Sequence, residues 1–157
     1  MINKKIIVKK IIENLQNELK EVEGAAKSSR DLATQSDMKS EGKYDTRAVE
    51  ASYLAGAQQK RVEEIKIDIQ MLEELEIQNS KSIQMGSLVL IEHNGNKRYY
   101  FLTASAGGTI LKIENENILV ISVFSPLGSN ALGLSKDESF EVETPKEIRM
   151  YHILKVY

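Results

Sequence analysis

SDMKSEGKYDTR, residues 36–47, separates two long helical patterns. Its carboxylates Asp37, Glu41 and Asp45 recur at four-residue spacing, interleaved with the cations Lys39, Lys43 and Arg47. Upstream, Val8, Ile12, Leu15, Leu19, Val22, Ala26, Ser29 and Ala33 are spaced alternately by four and three, a heptad seam whose residues become small toward the charged stretch. Downstream, Ala51, Ala55, Gln58, Val62, Ile65, Ile69 and Leu72 form a second seam, again with its small residues beside that stretch. Two helices whose seams narrow toward a shared turn predict an antiparallel coiled-coil hairpin, wide at the base and thin at a tip near residues 36–47. A helix of about 30 residues is roughly 45 Å long, so the hairpin is an arm built to reach. Gly24 and Gly56 lie at comparable distances from the turn; they read either as points of close helix approach or as tolerated glycines. Asp45-Thr46 reads as the cap or first turn of the second helix.

After Asn79-Ser80-Lys81-Ser82 the period changes from helical to alternating. Two β-rich runs, 87–92 and 98–103, flank His93-Asn94-Gly95-Asn96, and Asn-Gly in that position is a strong hairpin signal. Further strands are expected over 109–113, 118–124, 138–143 and 147–156. Ser125-Pro126 opens a glycine-studded segment that reads as a short helix or tight connector. The expected fold is therefore α+β. A coiled-coil hairpin over residues 1–79 is followed by a small, twisted, mainly antiparallel sheet domain with one short helix over 83–157.

Bulk composition narrows the function. The 157 residues are 41% hydrophobic and 28% charged, as in a foldable soluble chain. A net charge of -2 argues against a general nucleic-acid coating protein, which needs excess cations to displace phosphate counterions. There is no cysteine, hence no thiolate nucleophile and no sulfur-rich zinc site. No apolar run approaches the roughly 20 residues of a membrane span. The N-terminal MINKKIIVKKIIENL is interrupted by charges and lacks a small-residue cleavage site, so the expected location is the cytoplasm. No Ser-His-Asp set or phosphate-cradling glycine loop is present.

Three stretches carry a resemblance that spans essentially the whole chain. Asp37-Met38-Lys39-Ser40-Glu41-Gly42-Lys43-Tyr44 lines up with a tip of the form D-L-K-E-N-A-E-Y. Ala55 to Ile65 is similar to the start of a descending arm helix. Ile121 to Leu127, Ala131 to Leu134 and Ile153 to Tyr157 resemble a strand, an S-P turn, a small helix and a C-terminal strand. The sequence thus resembles the Gre family of bacterial transcript-cleavage factors.

The resemblance implies a fold whose sheet domain is similar to FK506-binding proteins, without isomerase activity. It also implies a factor that binds RNA polymerase core as a monomer, inserts its arm into the secondary channel and docks its sheet domain on the channel rim. Tip carboxylates, here Asp37 and Glu41, then help hold the second Mg²⁺ of the polymerase active site, so that the polymerase cleaves its own backtracked transcript. Contact with the nascent RNA 3′ end is indirect. Such a protein is a cofactor of the polymerase, with no cofactor of its own and no membrane partner. Lys39, Lys43, Tyr44, Ser125 and Pro126 are the expected partner-binding residues.

The tip departs from the family pattern. Ser40 stands where the family has its Glu, and the nearest carboxylate, Glu41, is displaced by one residue, about 100° on a helix. Lys43 also replaces a family Glu. A non-cleaving regulator that occupies the same channel is therefore the alternative function, and a coiled coil that binds an unrelated partner is a third. Lys4, Lys5, Lys9 and Lys10 cluster at the base of the arm, facing either RNA or solvent. His93 and His152 read as ordinary strand or turn residues.

Overall fold

The computed structural model describes residues 2–39 and 46–157, with side chains for 2–35 and 49–157. Helices α1 (Lys4–Lys39) and α2 (Thr46–Glu73) precede strands β1 (Leu88–His93), β2 (Asn96–Thr103), β3 (Ile110–Ile113) and β4 (Glu116–Ser122). Helix α3 (Pro126–Ala131) and strands β5 (Ser139–Glu143) and β6 (Ile148–Val156) complete the chain. The chain packs as two compact units, residues 13–70 and residues 1–12 with 71–157. The packing division falls inside the helices, whereas the change of sequence character falls at 79–83.

In the unit formed by residues 13–70, α1 buries Leu15, Ala26, Ser29 and Ala33, and α2 buries Val62 and Ile65. Ala51, Ala55, Gln58 and Ile69 are half-buried between exposed neighbours, so the second seam lies where its spacing placed it. Antiparallel pairing is tied across the helices. Arg61 holds Glu18 at 2.6 Å, Lys66 holds Glu23 at 3.2 Å, and Arg30 donates to Gln59 at 3.4 Å. These are exposed contacts worth fractions of a kcal/mol each, so they set register more than stability. Gly24 and Gly56 are exposed, and a Cβ on either would meet nothing within 4 Å. They are not points of close helix approach.

The second unit is a six-stranded sheet in the order β3-β4-β2-β1-β6-β5, with β2 and β4 parallel and every other neighbouring pair antiparallel. The β1–β2 hairpin closes with His93 opposite Asn96, and Asn94 and Gly95 take φ of 50° and 76°. Positive φ at both turn residues is the twist-matched type I′ geometry that Asn-Gly favours. One face carries the main core: Val89, Ile91, Tyr100, Leu102, Phe140 and Ile153 are all buried, joined by Ala131 of α3. The opposite face buries Leu88, Phe101, Ile118 and Val120. Both faces are thus buried at the centre of the sheet, whereas β5 buries only Phe140 and Val142 and leaves Ser139, Glu141 and Glu143 exposed.

The first turns of α1 belong to this unit, and there the expected seam is one residue out of phase. Lys4, Ile7 and Ile11 are buried, while Val8 and Ile12 are only half-buried. The reason is tertiary. Lys4 Nζ donates to Gln78 O at 2.6 Å and Tyr157 O at 2.9 Å, and Lys10 Nζ donates to Lys112 O at 2.9 Å. These bonds turn the helix toward the sheet. Burial holds the Lys4 ammonium below the usual lysine range. Two of the four clustered lysines, Lys4 and Lys10, are therefore tied to backbone carbonyls of this unit, and Lys4 is buried. The histidines sit in cross-strand contacts: His93 stacks on Tyr151 and donates from Nδ1 to Met150 O, and His152 meets Ser139 Oγ.

Candidate functional site

Parallel strands β2 and β4 end side by side, with Thr103 opposite Ser122. Two loops leave these ends and are pinned to each other. Ser122 Oγ donates to Ala104 O at 3.4 Å and accepts from Phe124 N at 3.2 Å. Ser125 N and Ser125 Oγ both donate to Ser122 O, at 3.0 and 2.6 Å. The same hydroxyl accepts from Gly128 N at 3.1 Å and so caps α3, with Pro126 in its first turn. A Cβ at Gly128 would stand 2.1 Å from Ser122 O, so α3 can lie this close to the end of β4 only with glycine there. Ser-Pro-Leu-Gly is one device: a cap, a preset φ and a bare backbone against the strand.

That device presents Phe124. Phe124 is 80% exposed, although its own amide and those on either side of it are held by Ser122 Oγ, Thr103 O and Ser122 O. The sequence placed Phe124 at the end of a strand running over 118–124, but β4 stops at Ser122 because Ser125 N turns back to Ser122 O. Of the two residues expected to bind a partner here, Pro126 is exposed. The Ser125 hydroxyl is engaged within the fold, and its side chain is half-buried. The signal for Phe124 was available: it is a large aromatic next to Val123, which is buried, and one residue before a helix cap, where no strand alternation can bury it. A cavity of about 440 Å³ shares Ala104 and Ser105 with the same loop and is lined also by Met71, Leu75 and Met85. Ser105 Oγ is buried with no hydrogen-bond partner among the described residues.

Residues 78–157, which contain this turn and all six strands, match the family described as "Transcription elongation factor, GreA/GreB, C-term". The chain belongs to the GreA/GreB family of transcription elongation factors. The transcription elongation factor GreA of Flavobacterium psychrophilum is 28% identical over 151 residues, covering 92% of this chain and 91% of that protein. Among solved structures, the transcription factor Gfh1 aligns with a TM-score of 0.41 at 20% identity, over 93% of this chain and 92% of that one. GreA factor homolog 1 (Gfh1) of Thermus thermophilus aligns with a TM-score of 0.39 at 21% identity, over 93% and 94%.

Within this GreA/GreB factor the expected tip site is divided. The backbone of Asp37 and Lys39 is the end of α1, but their side chains lie outside the described residues, as do Glu41, Lys43, Tyr44 and the Asp45 cap. Among the described residues no group of three or more His, Asp or Glu side chains converges to hold a metal ion. No described helix is long and apolar enough to cross a membrane.

Proposed function

We propose that this GreA/GreB factor binds RNA polymerase core through the Phe124 turn, passes its arm into the secondary channel and stimulates cleavage of backtracked transcripts. The observation that carries the docking half of this reading is Phe124: an apolar side chain held out in water by a turn whose amides are bonded within the fold. An exposed aromatic of this kind, once buried by a partner, is the usual hot spot of a protein interface. Asp37 and Glu41 offer hard oxygen ligands to the Mg²⁺ of the polymerase, which is the chemistry that in-line attack of water on a phosphodiester requires. Lys39, Lys43 and Tyr44 flank these carboxylates and contact the channel wall or the transcript end.

Ser40, in the place of the family Glu, supports a second reading in which the arm occupies the channel and regulates synthesis without cleavage. One pair of measurements separates the two. Phe124→Ala is expected to weaken binding to polymerase core about tenfold or more, as loss of an anchor does; unchanged binding would remove the turn from the interface. In halted, backtracked complexes at limiting Mg²⁺, the factor is expected to speed cleavage and Asp37→Asn to abolish that gain. Binding without any gain in cleavage, together with slower nucleotide addition, establishes the regulator instead.

A further inference from the structure

Helix α2 carries apolar residues on two faces, and only one of them is covered by the described residues. Val49, Tyr53, Gly56, Lys60, Glu63 and Ile67 are spaced by four, three, four, three and four. At about 100° per residue they form a second seam nearly opposite the first, and all six are exposed, Tyr53 by 78%. Neither Lys60 nor Glu63 has a charged partner among the described residues. Gly56 lies within the continuous helix, and a Cβ there would meet nothing among the described residues.

We propose that this outer seam of α2 packs against the same seam of a second copy of the chain, antiparallel, about a two-fold axis near Arg61–Val62. The seam is self-complementary in that register. Lys60 of each copy faces Glu63 of the other, which makes two opposite-charge pairs across the axis. Ile67 of each copy faces Gly56 of the other, where the missing side chain leaves a hole for an isoleucine knob. Tyr53 falls opposite Gln70, with an apolar body and a polar tip. Parallel packing would set Lys60 against Lys60 and Glu63 against Glu63, so charge selects the antiparallel arrangement. The pairing stands independently of polymerase binding.

Sedimentation equilibrium of the full chain tests this. The apparent mass is expected to rise from 17.7 kDa toward twice that value as concentration rises. Lys60→Glu and Glu63→Lys should each weaken association about tenfold or more, and the double variant, with the charges exchanged, should restore it. Gly56→Ala should raise the melting temperature of the helix yet weaken association, whereas Gly24→Ala, on the other helix, should raise melting and leave association unchanged. A monomeric mass at every concentration overturns the proposal. So does a dimer insensitive to the single charge reversals, or a double variant that stays monomeric.

Discussion

Glycine means opposite things in the two units. In the arm, Gly24 and Gly56 stand in helix interiors with open space where a Cβ would go. At the end of β4, Gly128 stands where a Cβ would collide with the backbone of Ser122. The contrast extends to the cores. The arm buries a single seam per helix, thinned to Ala26, Ser29 and Ala33 toward one end, whereas the centre of the sheet is buried on both faces. The arm is specified by a repeating pattern, and any residue that keeps the pattern is accepted. The sheet unit is specified by contacts, and at the Ser-Pro-Leu-Gly turn the contacts leave no room for choice.

The largest effect expected from this contrast is at Gly128. Gly128→Ala places a methyl carbon inside the van der Waals radius of Ser122 O, an atom held by Ser125 N and Ser125 Oγ. Either α3 lifts off or the end of β4 bends, at a cost on the order of 3 kcal/mol. Urea unfolding followed by tyrosine fluorescence would measure it. A variant as stable as the parent would show that the turn yields, and with it the argument that Phe124 is rigidly presented.

Gly24→Ala tests the other side of the comparison and should act in the opposite direction. With no neighbour to meet the methyl group, the substitution gains helix propensity alone, about 1 kcal/mol. Thermal unfolding monitored at the helical circular dichroism band should shift upward. A destabilised Gly24→Ala would mean that the glycine serves a bend or a contact after all.

What could be read from the sequence follows the same division. The second seam was legible to the residue, because period alone decides which side of a helix is buried when its only partner is another helix. The hairpin at Asn94-Gly95 was legible because its turn chemistry is local. The base of α1 was not. Its apolar residues Ile6, Ile7, Val8, Ile11 and Ile12 allow two phases, and the choice of Ile7 and Ile11 is made by Lys4 and Lys10 reaching carbonyls at residues 78, 157 and 112. No local pattern encodes partners so distant. Phe124 differs: the run of β-formers continues past Ser122, but the Ser125 bonds that end the strand are local, so the Ser-Pro cap beside it is a legible stop signal. The acidic tip was recognised through resemblance, since charged residues at a turn have no period to betray their use.

The smallest expected effect concerns Asp68, on the arm. Burial is the main cause that raises its carboxyl above the ordinary 3.8; Arg61 opposes the shift, and repulsion from Glu64 and Glu18 adds to it. The sign of the consequence follows from proton binding. Between 3.8 and the raised value the folded chain holds a proton that the unfolded chain has released, so the contribution of Asp68 to stability falls as pH rises through that window. At neutral pH both states are ionised and the folded state carries the desolvated charge. Asp68→Asn should therefore be slightly more stable than the parent at neutral pH, and the advantage should vanish as pH falls below 3.8. Paired urea titrations from about pH 3 to pH 7 would show the gap opening with pH. A gap of constant size would assign it to the amide's own contacts, and a less stable variant would mean that Arg61 attracts Asp68 more strongly than burial penalises it. The second result would show that the exposed charges of the arm do more than set register.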